Sequence, residues 1–140
     1  LISGFFKNLV FQAKKDPAIY SIDAQLSLII DKLKYEMDEG LISCMISRRS
    51  TKVILASFNS QETMVPFFHN ITSFIGHALI AASFPKLANT YKIYLSNNVV
   101  ILVFLVKDIQ VSIVANSSLS NLGILEQITL PEIREILKDV

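Results

Sequence analysis

The sequence predicts an α/β (α+β) domain: a five-stranded, mainly antiparallel sheet sandwiched between helices in the order α-ββ-α-βββ-α. Three observations predict it. An apolar stripe with helical spacing runs from Ile19 to Met37. Short runs rich in β-branched and aromatic residues come in neighbouring sets separated by turn-forming residues. Val99 to Val106 (VVILVFLV) is apolar at every position, the pattern of a central strand covered on both faces.

Each element follows in order. Leu1 to Lys15 is expected to be a helical extension with Phe5, Phe6 and Leu9 inward, so residues 1–16 stand apart from a domain at 17–140. Asp16-Pro17 reads as a helix start, because Asp16 can cap and Pro17 sits where no amide hydrogen bond is needed. Ile19, Ile22, Leu26, Ile29, Leu33 and Met37 then alternate spacings of three and four, and Gly40 is the stop. Leu41 to Ser47 and Lys52 to Phe58 make an antiparallel hairpin around Arg48-Arg49-Ser50-Thr51.

The next helix is expected from about Thr63 to Phe84, ending before Pro85. Its apolar residues cover two adjoining faces: Val65, Phe68, Ile75 and Leu79 on one, and Met64, Phe67, Ile71, Phe74, Ala78 and Ala81 on the other. His69, Asn70, Ser73 and His77 form the narrow polar strip between them. A helix lying on a sheet needs one apolar face, so this coverage implies a second packing partner. Tyr91 to Ser96, Val99 to Val106 and Ile109 to Ala115 are the last three strands, turned by Asn97-Asn98 and Lys107-Asp108. After a Ser/Asn-rich link, Thr129 and Glu132 have capping-box spacing. Two short terminal helices are expected, with Ile133, Ile136 or Leu137, and Val140 inward.

Composition narrows the function. A chain of 140 residues accommodates one domain, and 51% hydrophobic content with only 18% charge predicts apolar surface facing another protein. A net charge of +1 with scattered basic residues argues against nucleic acid as a partner. A single cysteine, Cys44, forbids an intrachain disulfide and places the chain in a reducing, cytoplasmic setting. The first residue is Leu1 rather than Met, which predicts a processed chain or a piece of a longer one.

Two stretches imitate targeting or membrane segments. Leu1 to Phe11 is short, is broken by Lys7 and Asn8, and lacks a signal-peptide cleavage pattern. Met64 to Phe84 holds no Asp, Glu, Lys or Arg. It does carry Pro66, His69, Asn70, Thr72, Ser73, His77 and Ser83, which favour a buried amphipathic helix over a span.

No catalytic constellation emerges, so the chain is expected not to be an enzyme and to need neither cofactor nor metal. Gly4, Gly40, Gly76 and Gly123 are isolated, which excludes a phosphate-binding loop of P-loop type. His69 and His77 are too far apart along a helix to share a metal, and read as part of a polar seam. Cys44 reads as a small core residue. Glu36, Asp38 and Glu39 read as a solvated helix end. Two basic clusters, Lys7, Lys14 and Lys15 near the N-terminus and Arg48, Arg49 and Lys52 in the hairpin, read as solubilising surface or as partner contacts to an acidic protein or anionic lipid.

Three local features carry a family resemblance. A long helix runs directly into Gly40-Leu41-Ile42, the fourth strand is fully apolar, and Ser120-Asn121-Leu122-Gly123-Ile124-Leu125 follows the fifth strand. With the element order, residues 17–140 resemble the roadblock / dynein light-chain family, whose fold is close to longin and profilin-like domains. The resemblance implies pairing through third strands joined edge to edge and second helices packed together. On this chain that implicates Phe67, Phe68, Ile71, Phe74, Ile75 and Ala78 of the helix, with Tyr91, Ile93 and Leu95 of the edge strand. Tyr91, Ile93 and Leu95 share one face of that strand, and only Lys92 is placed to guard its edge. The family's Asp-Gly turn in the first hairpin is replaced by Arg48-Arg49-Ser50-Thr51, which leaves the turn geometry open.

The function implied by the resemblance is a non-catalytic dimeric scaffold or regulator of a small Ras-like GTPase, acting by activation, exchange or recruitment. Its partners are itself or a related chain and the GTPase, with membrane association only through a partner. The alternative is a structural dimerisation subunit, such as a dynein adaptor or the C-terminal domain of a Rag-type GTPase. A small-molecule sensor ranks last. It needs convergent polar groups between sheet and helix, and the apolar fourth strand and second helix offer few.

Overall fold

The computed structural model describes residues 22–140. The N-terminal extension, the Asp16-Pro17 start, Ile19 and the cluster Lys7, Lys14 and Lys15 lie outside the described residues. The elements are α1 (Ile22–Met37), β1 (Leu41–Arg48), β2 (Ile54–Phe58), α2 (Met64–Ala81), β3 (Thr90–Tyr94), β4 (Val99–Val106) and β5 (Ile109–Asn116), then α3 (Leu122–Ile124), a π-helical turn (Leu125–Thr129) and α4 (Leu130–Leu137). One five-stranded sheet has the order β2-β1-β5-β4-β3, with every neighbouring pair antiparallel. A hairpin, β1–β2, and a three-stranded meander, β3–β4–β5, are joined by pairing β1 to β5, which leaves β2 and β3 as the edges among the described residues.

The alternation of side chains along each strand divides the core in two. Cys44 and Ile46 of β1, Val100, Leu102 and Phe104 of β4, and Val111 and Ile113 of β5 face α1 and α4. There they meet Leu26, Ile29 and Leu33 from α1, and Leu130, Ile133, Ile136 and Leu137 from α4. Met45, Ile101 and Val103 face the opposite way, toward Val65 and Phe68 of α2. β4 therefore feeds both cores, as its unbroken apolar run requires.

Several local expectations are corrected. Ile22 belongs to the α1 stripe by spacing, yet is 51% exposed. Gly40 does not supply a left-handed helix stop: the positive φ, 48°, belongs to Asp38, and Asp38–Gly40 is a 3-10 turn. Gly40 is needed for a close approach, since a Cβ there would lie 2.9 Å from the Leu119 carbonyl oxygen and collide with Ser120 Oγ. α2 stops at Ala81 rather than Phe84. Ser83 takes a φ of 63°, its N–H reaches the Ile80 carbonyl at 3.0 Å, and the Phe84 N–H reaches the Leu79 carbonyl at 2.9 Å. These two bonds form a Schellman motif with serine in glycine's usual place.

The capping box at Thr129 is absent. Thr129 has helical φ and ψ of −69° and −48° and caps nothing, because the π turn carries the chain straight into α4. The cap is Asn121, whose Oδ1 accepts the Ile124 N–H at 3.1 Å.

Candidate functional site

α2 begins after a turn in which the Met64 and Val65 amides donate to the carbonyls of Gln61 and Glu62. Pro66 falls in the first helical turn, where a missing N–H costs nothing. Val65, Phe68, His69 and Thr72 are the buried residues of the helix and face the sheet. Only 22% of the helix is buried, so the expected buried helix is instead buried on one side. The helix is long and apolar enough to cross a membrane, but its His69 and Thr72 side chains are bonded to strand partners.

The outer face of α2 carries Phe67 (43% exposed), Phe74 (74%) and Ala78, with Ile71 and Ile75 half-buried at its margins. Phe68 is corrected: at 2% exposure it packs on Met45, Ile101 and Val103 as core, so it does not belong to an outer contact surface. It holds the Phe67 ring in an edge-to-face arrangement at 5.3 Å between centroids, which fixes an exposed aromatic against a buried one.

β3 borders the same side of the sheet. Among the described residues its only partner strand is β4, so no described strand pairs with its outer N–H and C=O groups. Tyr91 and Ile93 pack half-buried under α2. The Tyr91 hydroxyl bonds Thr72 Oγ1 at 2.7 Å, tying the edge strand to the helix, and burial pushes its pKa up. Leu95 lies past the end of the strand and is exposed. Lys92 does not stand guard over the edge: its ammonium is drawn across to Glu126 of the π turn at 2.9 Å, which raises its pKa. Helix face and strand edge thus form adjoining surfaces that no other described element covers.

The basic hairpin is pinned to the neighbouring turn. The Arg49 N–H donates to the Asp108 carbonyl at 2.7 Å, and the Ser50 amide and hydroxyl donate to the Asp108 carboxylate at 3.0 and 2.6 Å. These bonds, helped by the nearby charges of Arg48 and Arg49, hold the Asp108 carboxyl below its ordinary pKa. The turn geometry left open by Arg48-Arg49-Ser50-Thr51 is thereby held by a contact from a different hairpin, Asp108. Lys52 adopts a φ of 60° to close the loop. Arg49 and Lys52 are exposed, and Arg48 is half-buried at the strand end.

The largest correction concerns the polar strip. His69 is not on an outer seam; it is 5% exposed and its Nε2 pairs with Ser47 Oγ at 2.9 Å. Burial, with the charges of Lys52 and Arg49 beside it, lowers its pKa. Ser47, Gln110 and Ser112 face the same layer, so the sheet beneath α2 is partly polar. The signal was present in β5 (IQVSIVAN), where Ile109, Val111 and Ile113 alternate with Gln110 and Ser112. Sequence reasoning also missed buried Lys32, whose ammonium bridges Glu132 at 2.6 Å and Glu36 at 3.2 Å, joining α1 to α4.

Cys44 is a core residue as expected, its thiol pushed up to about 12 by burial and so inert. No group of three or more metal-ligating side chains occurs among the described residues.

No family model and no curated protein matches this sequence. Solved structures do. MglB of Myxococcus xanthus superposes with a TM-score of 0.68 at 7% identity, covering 84% of this chain and 87% of that one. The gliding protein MglB of Thermus thermophilus gives 0.62 at 10%, covering 83% and 90%. A roadblock/LC7 domain from Streptomyces avermitilis gives 0.57 at 9%, covering 69% and 82%. At such identities the likeness is one of backbone architecture, and with the element order and the free β3 edge it establishes that this chain has the roadblock-type fold.

Proposed function

We propose that this protein is a dimeric, non-catalytic scaffold or regulator that binds a small Ras-like GTPase, working in the cytoplasm. The observation that carries the reading is the adjacency of two surfaces left unpartnered among the described residues, the apolar outer face of α2 and the edge of β3, on a roadblock-type fold. A second copy satisfies both at once: β3 pairs with β3 through backbone bonds while Phe67, Phe74 and Ala78 are removed from water. A structure described as MglB with tetrameric arrangement, at a TM-score of 0.62 and 12% identity, supports self-association as a use of this fold. The exposed Arg49 and Lys52 supply a basic rim for an acidic partner surface.

Light scattering tests the assembly. The wild-type chain is expected at twice its 15.7 kDa mass, with Phe74→Glu and Leu95→Lys shifted toward folded monomers. A folded wild-type monomer at high concentration overturns the reading. Nucleotide turnover and exchange, measured on GTP-loaded Ras-like GTPases with and without the protein, separate a regulator from a structural dimerisation subunit, which binds without changing either rate.

A further inference from the structure

An open cleft of about 520 Å³ lies between the C-terminal half of α2 and the sheet, on the side of the basic hairpin. This corrects the expectation that few polar groups converge there. Three cationic side chains line it from two segments: Arg49 and Lys52 from the β1–β2 turn and Lys86 from the loop after α2. None of the three makes an ion pair among the described residues. The imidazoles of His69 and His77 and the carboxylate of Asp108 complete the titratable groups. Asp108 is already engaged by the Ser50 amide and hydroxyl, so it only partly offsets the three cations.

Two further observations mark the cleft as shaped to receive something. Gln110 lines it and is fully buried, its Nε2 bonded to Ser112 Oγ at 3.2 Å and its Oε1 without a partner. A buried acceptor left unmatched costs stability, and a hydroxyl donated by a ligand removes that cost. Gly76 lies four residues after Thr72 and seven after His69, hence on the helix face turned to the sheet. Yet a Cβ placed there would meet nothing within 4 Å. Glycine in a helix interior is unfavourable, and packing does not call for it here; what it does is keep the cleft wide.

We propose that this cleft binds a small phosphorylated polyol, its phosphate held by Arg49, Lys52 and Lys86 and a hydroxyl donated to Gln110. Three cations lining one cleft match a phosphate dianion better than a single carboxylate, and the guanidinium fork of Arg49 suits its oxygens. The volume lies within the range of small-molecule sites. A soluble sugar phosphate and an inositol-phosphate lipid headgroup share this chemistry. The inference does not depend on the dimer or on a GTPase.

The test is calorimetric titration of the full chain with ribose 5-phosphate and with inositol trisphosphate at fixed ionic strength. Alongside runs flotation with phosphatidylcholine vesicles that contain or lack phosphatidylinositol phosphate. The variants are Arg49→Ala/Lys86→Ala, both exposed positions, and Gly76→Leu, which fills open space; circular dichroism checks that they fold. Saturable binding of a soluble probe, weakened at least about tenfold in both variants, supports the site and a free ligand. Binding confined to the phosphoinositide vesicles and lost in both variants supports the site and a headgroup. Absence of both, or binding that the variants leave unchanged, overturns the proposal.

Discussion

Single residues at the α2–sheet boundary set how this fold responds to acid. His69 is buried, neutral and paired with Ser47, and its folded pKa lies below the ordinary 6.5. The folded state therefore binds a proton there less readily than the unfolded chain. The stabilisation is fully present above 6.5 and is lost as pH falls from there through the depressed folded value. Thermal melts between neutral and mildly acidic pH are expected to show a falling midpoint, which His69→Gln flattens because a neutral amide can keep the Ser47 bond. An unchanged slope in His69→Gln would place the acid sensitivity elsewhere. Asp108, whose pKa is also depressed, loses its contribution only as pH falls below the ordinary carboxylate range. At Ser83 the φ of 63° burdens a side chain that glycine lacks, so Ser83→Gly is expected to stabilise by about 1 kcal/mol in denaturant unfolding. Lys32→Met strands the Glu132 and Glu36 carboxylates and is expected to cost about 3 kcal/mol or more. Replacing Glu132 by Leu in the same chain should recover part of that loss, which a double-mutant cycle measures.

At the scale of elements, α2 is the one built against its own interests. It exposes Phe74 and Phe67, carries Gly76 in its interior, and rests partly on polar residues of the sheet. Gly76→Ala adds helix propensity in open space and is expected to stabilise by about 1 kcal/mol, readable as a rise in the unfolding midpoint. The helical periodicity of α2 was legible, as were both of its apolar faces, and the face with Val65 and Phe68 is the one that meets the sheet. The side of His69 was not legible. Periodicity ranks residues by hydropathy, and a histidine is counted as outward until a partner such as Ser47, from another element, is brought against it. Lys32 was missed for the same reason, since a lysine is buried only when carboxylates such as Glu132 converge on it.

The described residues present an apolar helix face and a strand edge side by side, the two surfaces that the proposed self-association would cover. Removing Phe74 from water in a dimer is worth about 2 kcal/mol, and replacing it by Glu also leaves a charge in the interface. Phe74→Glu is therefore expected to weaken self-association about thirtyfold or more in sedimentation equilibrium, while thermal unfolding of the monomer is nearly unchanged because the side chain is exposed. An equal loss of monomer stability would mean that Phe74 packs within the protomer.

The order of elements, the central place of β4 and the two-sided apolar coverage of α2 were all readable along the chain. These properties rest on local periodicity and composition, which neighbouring residues fix between themselves. Folding in three dimensions is what brings Asp108 to the basic hairpin, Lys92 to Glu126, and Arg49, Lys52, Lys86 and Gln110 around one cleft. Each of those joins residues from separate elements. Such pairings arise from the sheet order β2-β1-β5-β4-β3 and the seating of α2 upon it, and no spacing along the chain encodes them.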